Sequence, residues 1–565
     1  MSLTSILTSA NAGLSTAQFQ MSVAQTNVAN ADQAGYSRKT VATTATTPTL
    51  AISSATVTRA ADAYLSKTVD KTAAANGRDA VIDTYMQSYD ASLGSVDGGD
   101  DVSSLLTAFQ TALTNLASSS TAATKASAVS AASGLASSIK ALSGEIQSLR
   151  GQADTEIAST VGVVNDTLKS LRSLNDQIVS TAASGGDTSD LEDQRALAVT
   201  TLSSLMGVTT YTTADNRVMV YTSGGQQLLG TSAATLSYSA SSSLSASAVY
   251  PGSISGLTVN GQDITTSVTT GKLGGLISLR DDTLPAQQSA LDQLASSLID
   301  QVNAAANAGS SSPAANTLTS ADTVSGSDAF SASGKLRVAV TDSSGAVVSS
   351  QDLDLSTYST VDDLIAGLNA VSGVNAAISN GKLVIAAASA SHGVALGDIA
   401  ASVSGKGVSD YFGFNDIFSG VSASTIAVSA KLAADPASLA TAALSTSGAM
   451  TVGSVAIASG SSATADAIAK ALSADTAFST GKSSLLNDAA GFVSSAATLV
   501  SNASTQAQTS SSAHDAATSR LSNLTSVNLD EELAQLQTYQ QAYQANAQLV
   551  SMVKDLFDTL ISMVN

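Results

Sequence analysis

The 565 residues contain no cysteine, no tryptophan and only two histidines, and charged residues make up 12% of the chain. The absence of cysteine excludes disulfides, thiolate metal sites and cysteine nucleophiles, and fits either side of a bacterial membrane. His392 and His514 lie far apart in sequence and leave little for general acid-base chemistry. Aromatics reach only 4%, and Ala, Ser, Thr and Gly fill the difference. Such small residues bury little apolar surface each, so stability has to come from long helix contacts, sheets and neighbours. No apolar run has the length of a membrane span, and nothing basic precedes the periodic apolar residues of the first segment. An extracellular destination would need an export route that reads no cleaved signal.

The charge that is present is mostly of one sign: 44 acidic against 24 basic residues give a net charge of −20. That balance argues against nucleic acid or an anionic membrane as partner. The length calls for three or four domains.

Motifs for chemistry fail on inspection. Gly252-Ser253-Ile254-Ser255-Gly256 has Ile where a nucleophile elbow needs Ser, and Gly481-Lys482-Ser483 has Thr476 where a phosphate loop needs its earlier glycine. Asp97, Asp100 and Asp101, like Asp352 and Asp354, lack the alternation of a calcium loop and read as solvated turns. The expectation is a protein that is not an enzyme and that carries no cofactor or metal.

The informative feature is at the ends. Leu3, Leu7, Ala10, Leu14, Ala17, Met21, Ala24 and Val28 follow alternating steps of four and three. Near the other end Leu529, Leu533, Leu536, Tyr543, Ala547 and Val550 do the same, with Gln540 as the polar interruption, and Val553, Phe557, Leu560 and Met563 carry the face onward. From Met1 the first ionisable side chain is Asp32 and the first basic one Arg38, and none is charged between Glu532 and Lys554. Faces of Ser, Thr, Gln and Asn can pack against protein without desolvating a charge. Both helices are expected to be covered on more than one side. Being marginal alone, they should be disordered in the monomer and fold only when packed.

Between the ends, Gly35 is placed for a turn needing positive φ, and Thr40 to Thr58 alternates like a hairpin. Helical periodicity resumes near Ala60, breaks at Asp97-Gly98-Gly99-Asp100 and restarts at Val102. The strongest interior helix runs from about Ala123 to Thr181 on a seam from Leu135 to Ile178, with a stutter at Ala153 and Ile157. At about 1.5 Å per residue it is on the order of 80 Å long, so the molecule should be elongated. Asp187 or Thr188 caps the next helix, to Gly207. A period of two follows to about Thr270, then helix from Leu273 to Ala308 with Pro285 as a break or restart, and a Ser-rich linker from Asn307 to Ser320. Leu336 to Val340 and Leu383 to Ile385 read as strands around a helix at Val361 to Leu368, a small α+β unit. Helix returns from Leu485.

The fold class expected is therefore multidomain and elongated: a long coiled-coil-like helical bundle formed by the paired N- and C-terminal regions, with inserted β-rich and small α+β domains. Four parts follow: 1–60 with 525–565 as a terminal assembly domain; 61–206 with 273–310 and 480–524 as a helical rod; 207–272 as a β-rich domain; and 311–479 as an outer domain.

Certain residues carry a resemblance. Gly13-Leu14, then Asn27-Val28-Ala29-Asn30, then Gly35-Tyr36-Ser37-Arg38 is similar to the signature of the flagellar rod and hook axial proteins, with Gln33-Ala34 where Thr-Pro is usual. The run Asn528-Leu529-Asp530-Glu531-Glu532-Leu533, continuing through Tyr539, Gln540 and Tyr543 to Asn546, resembles the same family, and its lead-in resembles the hook-associated branch. Asp190 to Arg195, Leu279-Arg280-Asp281 and Tyr411 to Asp416 support that branch. The resemblance implies a secreted structural subunit at the hook-filament junction, exported unfolded through the flagellar type III apparatus. Implied partners are its own copies in a ring, the hook protein, a second junction protein, and an export chaperone at Leu529 to Met563. A hook or filament subunit, a secreted surface adhesin and an exported hydrolase are the competing readings.

Overall fold

The computed structural model describes residues 2–46, 51–95, 97–478 and 481–564. In chain order the helices are α1 (Leu3–Ala29), α2 (Ala63–Leu93), α3 (Val102–Ser118), α4 (Ala122–Ala183), α5 (Ser189–Leu205), α6 (Gly271–Ser278), α7 (Leu284–Asn307), α8 (Val361–Asn369), α9 (Val408–Phe412), α10 (Ala430–Ala434), α11 (Ala463–Ala471), α12 (Leu485–Thr525) and α13 (Leu529–Val564). Among the described residues no helix is long and apolar enough to cross a membrane. Two compact units form: Met1–Met86 with Arg150–Asp282 and Ser501–Asn565, and Gln87–Leu149 with Thr283–Val500.

The 62 residues of α4 are continuous. Leu135, Ile139, Ile146, Ala153, Ile157, Val164, Leu168, Leu171 and Ile178 are all wholly buried. Two successive four-residue steps at Ala153 and Ile157 keep the seam in line without breaking the helix.

In the first unit, strands β1 (Lys39–Thr46) and β2 (Ala51–Arg59) pair antiparallel, with Val41 opposite Val57. The four residues of their turn, 47–50, lie outside the described residues. Three short strands, β3 (Val208–Thr212), β4 (Val218–Thr222) and β5 (Gln227–Leu229), make one antiparallel sheet. They are fastened to α4 by side-chain amides. Asn175 donates to the Val218 carbonyl at 2.8 Å and accepts the Val218 N–H at 3.0 Å, and Asn165 grips Leu236, on a strand of a separate short sheet, the same way. Each amide copies the two hydrogen bonds of a neighbouring strand, so the strand edge is satisfied without a further strand.

Of the two readings of Pro285, a break or a second helix start, the structure has the start. Leu279–Thr283 widens into one π turn, and Pro285 sits in the first turn of α7, where its missing N–H is harmless. Arg280, on that turn, is wholly buried against Asp154 (3.1 Å), Asp281 (2.7 Å) and the Tyr238 hydroxyl. Arg150 beside it donates to the carbonyls of Arg280, Ser245 and Ala248. Two guanidinium groups thus meet two carboxylates and three carbonyls, which leaves no buried charge unmatched.

The second unit is built around two antiparallel sheets. The first runs β8 (Val347–Asp354), β7 (Ala332–Thr341), β11 (Gly393–Val403); the second runs β9 (Val374–Ser379), β10 (Lys382–Ala387), β6 (Thr317–Thr319). Leu336, Val338, Leu364, Leu368, Leu383 and Ile385 share one core with Phe330, Phe412 and Phe414. Helix α8 starts on a capping box between Thr360 and Asp363. On α7, Asn303 accepts the N–H groups of Ile417 and Phe418 and donates to the Phe418 carbonyl, while Asn307 accepts the Asn415 N–H and donates to Asp416.

Serine content suggests a linker over 307–320, and here the structure differs. Ser310 and Ser311 are buried, and the Ser310 N–H donates to the Ala442 carbonyl at 2.6 Å. Small side chains allow that backbone to lie against the protein, so composition alone does not mark this stretch as a spacer.

Candidate functional site

The two ends of the chain meet in the first unit. Gly13 faces Asn546 so closely that a Cβ at Gly13 would lie 2.6 Å from Asn546 Oδ1. Fourteen residues further along α1, Asn27 Nδ2 donates to Glu532 Oε2 at 3.0 Å. Advancing along α1 means receding along α13, so the helices are antiparallel. Expected to be ordered only when packed, each terminal helix finds its partner in the same chain.

Around Asn27 the sequence motifs of both ends become one hydrogen-bonded cluster. Asn27 Oδ1 accepts the Tyr36 hydroxyl at 2.8 Å and the Lys39 N–H at 3.0 Å, and its Nδ2 also donates to the Lys39 carbonyl at 2.8 Å. Arg38 Nε donates to Glu532 Oε1 at 2.8 Å, its guanidinium reaches Glu531 at 3.1 Å, and its N–H donates to the Thr525 carbonyl at 2.7 Å. Asn27 and Glu532 are each 1% exposed. The cluster extends to α5: Ser37 N–H donates to Asp193, Lys39 pairs with Asp190, and Arg59 at the end of β2 bridges Glu192 and Asp193 at 2.9 Å each. Burial, then Asp190, Asp193 and Glu532, push the Tyr36 phenol well above its usual range, so it stays a hydrogen-bond donor.

The other motif residues take local duties. Asn30 donates to the Thr26 carbonyl and closes α1. Gly35 adopts φ +80°, and the turn forms without proline, through Gln33 N–H to Asn30 and Tyr36 N–H to Gln33. Asn528 accepts the N–H groups of Asp530 and Glu531 and caps α13. The exposed Asp530 lies in that first turn, where negative charge suits the helix dipole. Tyr539 donates to Gln535, Gln540 is exposed, and Asn546 donates to the Ala542 carbonyl. Thr188 stands at the start of α5 without a side-chain cap bond, while Asp187 accepts the Ser189 N–H.

The heptad residues divide unevenly. On α1 the buried ones are Ala10, Ala17 and Ala24, while Leu3, Leu7, Leu14, Met21 and Val28 are half-buried. On α13, Val553 is buried, Leu536, Tyr543, Val550 and Phe557 are half-buried, and Leu529, Leu533 and Leu560 are exposed. The apolar band of α13 is thus wider than the strip α1 covers. Met552, Leu556, Ile561 and Met563 are exposed as well, the last two past the start of α1, whose Leu3 aligns with Leu556. Periodicity missed Glu532, Lys39, Arg59, Asp190 and Asp193; the acidic run Asp530-Glu531-Glu532 at the edge of a charge-free stretch was the available signal. Of the two histidines, His514 contacts Thr72 through Nδ1 at 3.3 Å and His392 lies in a turn of the other unit.

Residues 86–317 match the family described as the flagellar hook-associated protein FlgK helical domain, and residues 524–563 match the flagellar basal body rod FlgEFG protein C-terminal family. Flagellar hook-associated protein 1 of Salmonella typhimurium is 24% identical over 313 residues, covering 54% of this chain and 56% of that protein, and its Salmonella typhi counterpart matches equally. The chain therefore aligns with little more than half the length of these relatives. The fold is similar to that of the flagellar hook junction protein FlgK from Burkholderia pseudomallei, with a TM-score of 0.51 at 18% identity, over 80% of this chain and 98% of that one. The stretch 86–317 and the C-terminal stretch that carries Glu532 are thus similar to two families of flagellar axial proteins, the first of them hook-associated, and the fold is similar to that of a hook junction protein.

Proposed function

We propose that this chain is an extracellular structural subunit that assembles at the hook tip and joins hook to filament. The observation that carries the reading is the uncovered band on α13. Leu533 and Met552 are exposed within the stretch of α13 that is uncharged from Leu533 to Val553, and Leu556, Leu560 and Ile561 are exposed beyond it, beside Lys554, Asp555 and Asp558. Such a band is stable in water only when another surface covers it. Neighbouring copies in a ring supply that surface, with coiled-coil-like packing of the terminal helices inside and 207–272 and 311–479 outside. The hook protein and a second junction protein bound the ring above and below, and an export chaperone covers Leu529 to Met563 before type III export. The names of the relatives, hook-associated and hook junction, support the same reading.

Replacing Leu14, which is half-buried, by Asp places a charge in the assembled layer while sparing the second unit. Cells carrying Leu14→Asp are expected to export the protein and to lack filaments, with no narrow immunogold band at the hook tip. Normal filaments in those cells would sink the reading.

A further inference from the structure

We propose that the buried hydrogen bond between Asn27 and Glu532 selects the register of the terminal helix pair. The two close contacts of that pair, Gly13 with Asn546 and Asn27 with Glu532, join residues whose numbers both sum to 559. The alignment is therefore constant over two heptads. What lies between cannot enforce it. The buried apolar residues of α1 are Ala10, Ala17 and Ala24, seven apart, and one methyl group is like another. A slide of one heptad, about 10 Å, would bring alanine to where alanine was.

The polar pair breaks this degeneracy. Glu532 is buried with both oxygens used, one by Arg38 Nε and one by Asn27 Nδ2. In a register shifted by one heptad Glu532 would align with Gln20 or with Ala34 past the end of α1, and its bonds to Asn27 and Arg38 would be lost, which is strongly unfavourable for a buried carboxylate. A single buried polar contact fixes alignment in two-helix seams for the same reason. Register in turn decides which side chains of α13 form the uncovered flank. That consequence rests on the assembly reading above, whereas the selection itself is a property of the single chain.

Because the chain has no cysteine, introduced pairs are its only thiols. Ala17→Cys with Ala542→Cys reports the observed register, and Ala10→Cys or Ala24→Cys with Ala542→Cys reports slides of one heptad either way. Disulfide yield is measured in the purified full-length monomer, so the result does not depend on whether the protein joins hooks. Only the Ala17 and Ala542 pair is expected to cross-link in the native background and in Glu532→Gln, which keeps a hydrogen bond to Asn27. In Glu532→Leu the shifted pairs are expected to reach the yield of the aligned one. The proposal is overturned if Glu532→Leu still gives the aligned pair alone, or if it gives no cross-link at all, since the contact would then hold the helices together without choosing between alignments. Shifted cross-links in the native background or in Glu532→Gln would overturn it equally.

Discussion

Around α8 and α9, Phe330, Phe412 and Phe414 are each 1% exposed, and their rings lie 5.6 to 6.2 Å apart in sequence of contact. Along α1 the buried apolar side chains are alanines, and Phe19 faces solvent. The first region closes its core with its own large residues, and the second leaves its large residues on the flanks. A chain poor in aromatics has concentrated them where it must stand alone. At its ends it keeps small residues between the two helices and leucines for whatever lies beyond.

The comparison fails if the aromatic cluster is dispensable. Phe412→Ala is expected to destabilise the second unit by about 3–5 kcal/mol in chemical denaturation. A loss below about 1 kcal/mol would show that sheet pairing alone carries that core.

The same unit also holds a cost that the terminal pair avoids. Burial pushes the Asp416 carboxyl up to about 6, opposed by its hydrogen bond from Asn307 and by Lys406, and reinforced by Asp410 and Asp322. Its folded form binds the proton more tightly than its unfolded form. The contribution is therefore fully present below about pH 4 and lost as pH rises through about 6. Asp416→Asn should remove that slope and stabilise the unit at neutral pH by on the order of 1–2 kcal/mol. Parallel stability profiles between pH 4 and 7 for the two proteins would refute the assignment.

Smaller effects probe the helix pair. Gly13→Ala gains helix propensity of about 1 kcal/mol but drives a methyl group against Asn546, so the net change should be destabilising by less than about 1 kcal/mol. A clear gain in melting temperature would mean that the helices separate there at no cost. Least of all, Leu533→Ser should alter the stability of the isolated chain by under about 0.5 kcal/mol, because Leu533 is 56% exposed. A larger loss would mean that the band is already covered.

How much of this is legible in sequence depends on what chose the residues. The seam of α4 from Leu135 to Ile178 is read directly, because every one of its large side chains faces protein and nothing else competes for the pattern. The strands at Leu336 to Val340 and Leu383 to Ile385 and the helix at Val361 stand out for the same reason. On α13 two apolar flanks share one helix, so a single periodic stripe falls between them and passes over Glu532. A buried carboxylate is invisible to hydrophobic patterning. The π turn at Leu279–Thr283, which carries Arg280 onto Asp154, was equally hidden, since a tertiary ion pair leaves no trace in local periodicity.

Asn165, Asn175 and Asn303 hold backbone segments by amide groups that carry no net charge. Joints of this kind have no counterion atmosphere to disturb, so added salt should leave them as they are. The ion pairs of Arg38 and Arg59 have only part of that protection, since both guanidinium groups are about a quarter exposed. Raising ionic strength should therefore loosen the meeting point of the two chain ends before it touches the fastening of the strands to α4 and α7. Hydrogen exchange at the Lys39 and Val218 amides would separate the two.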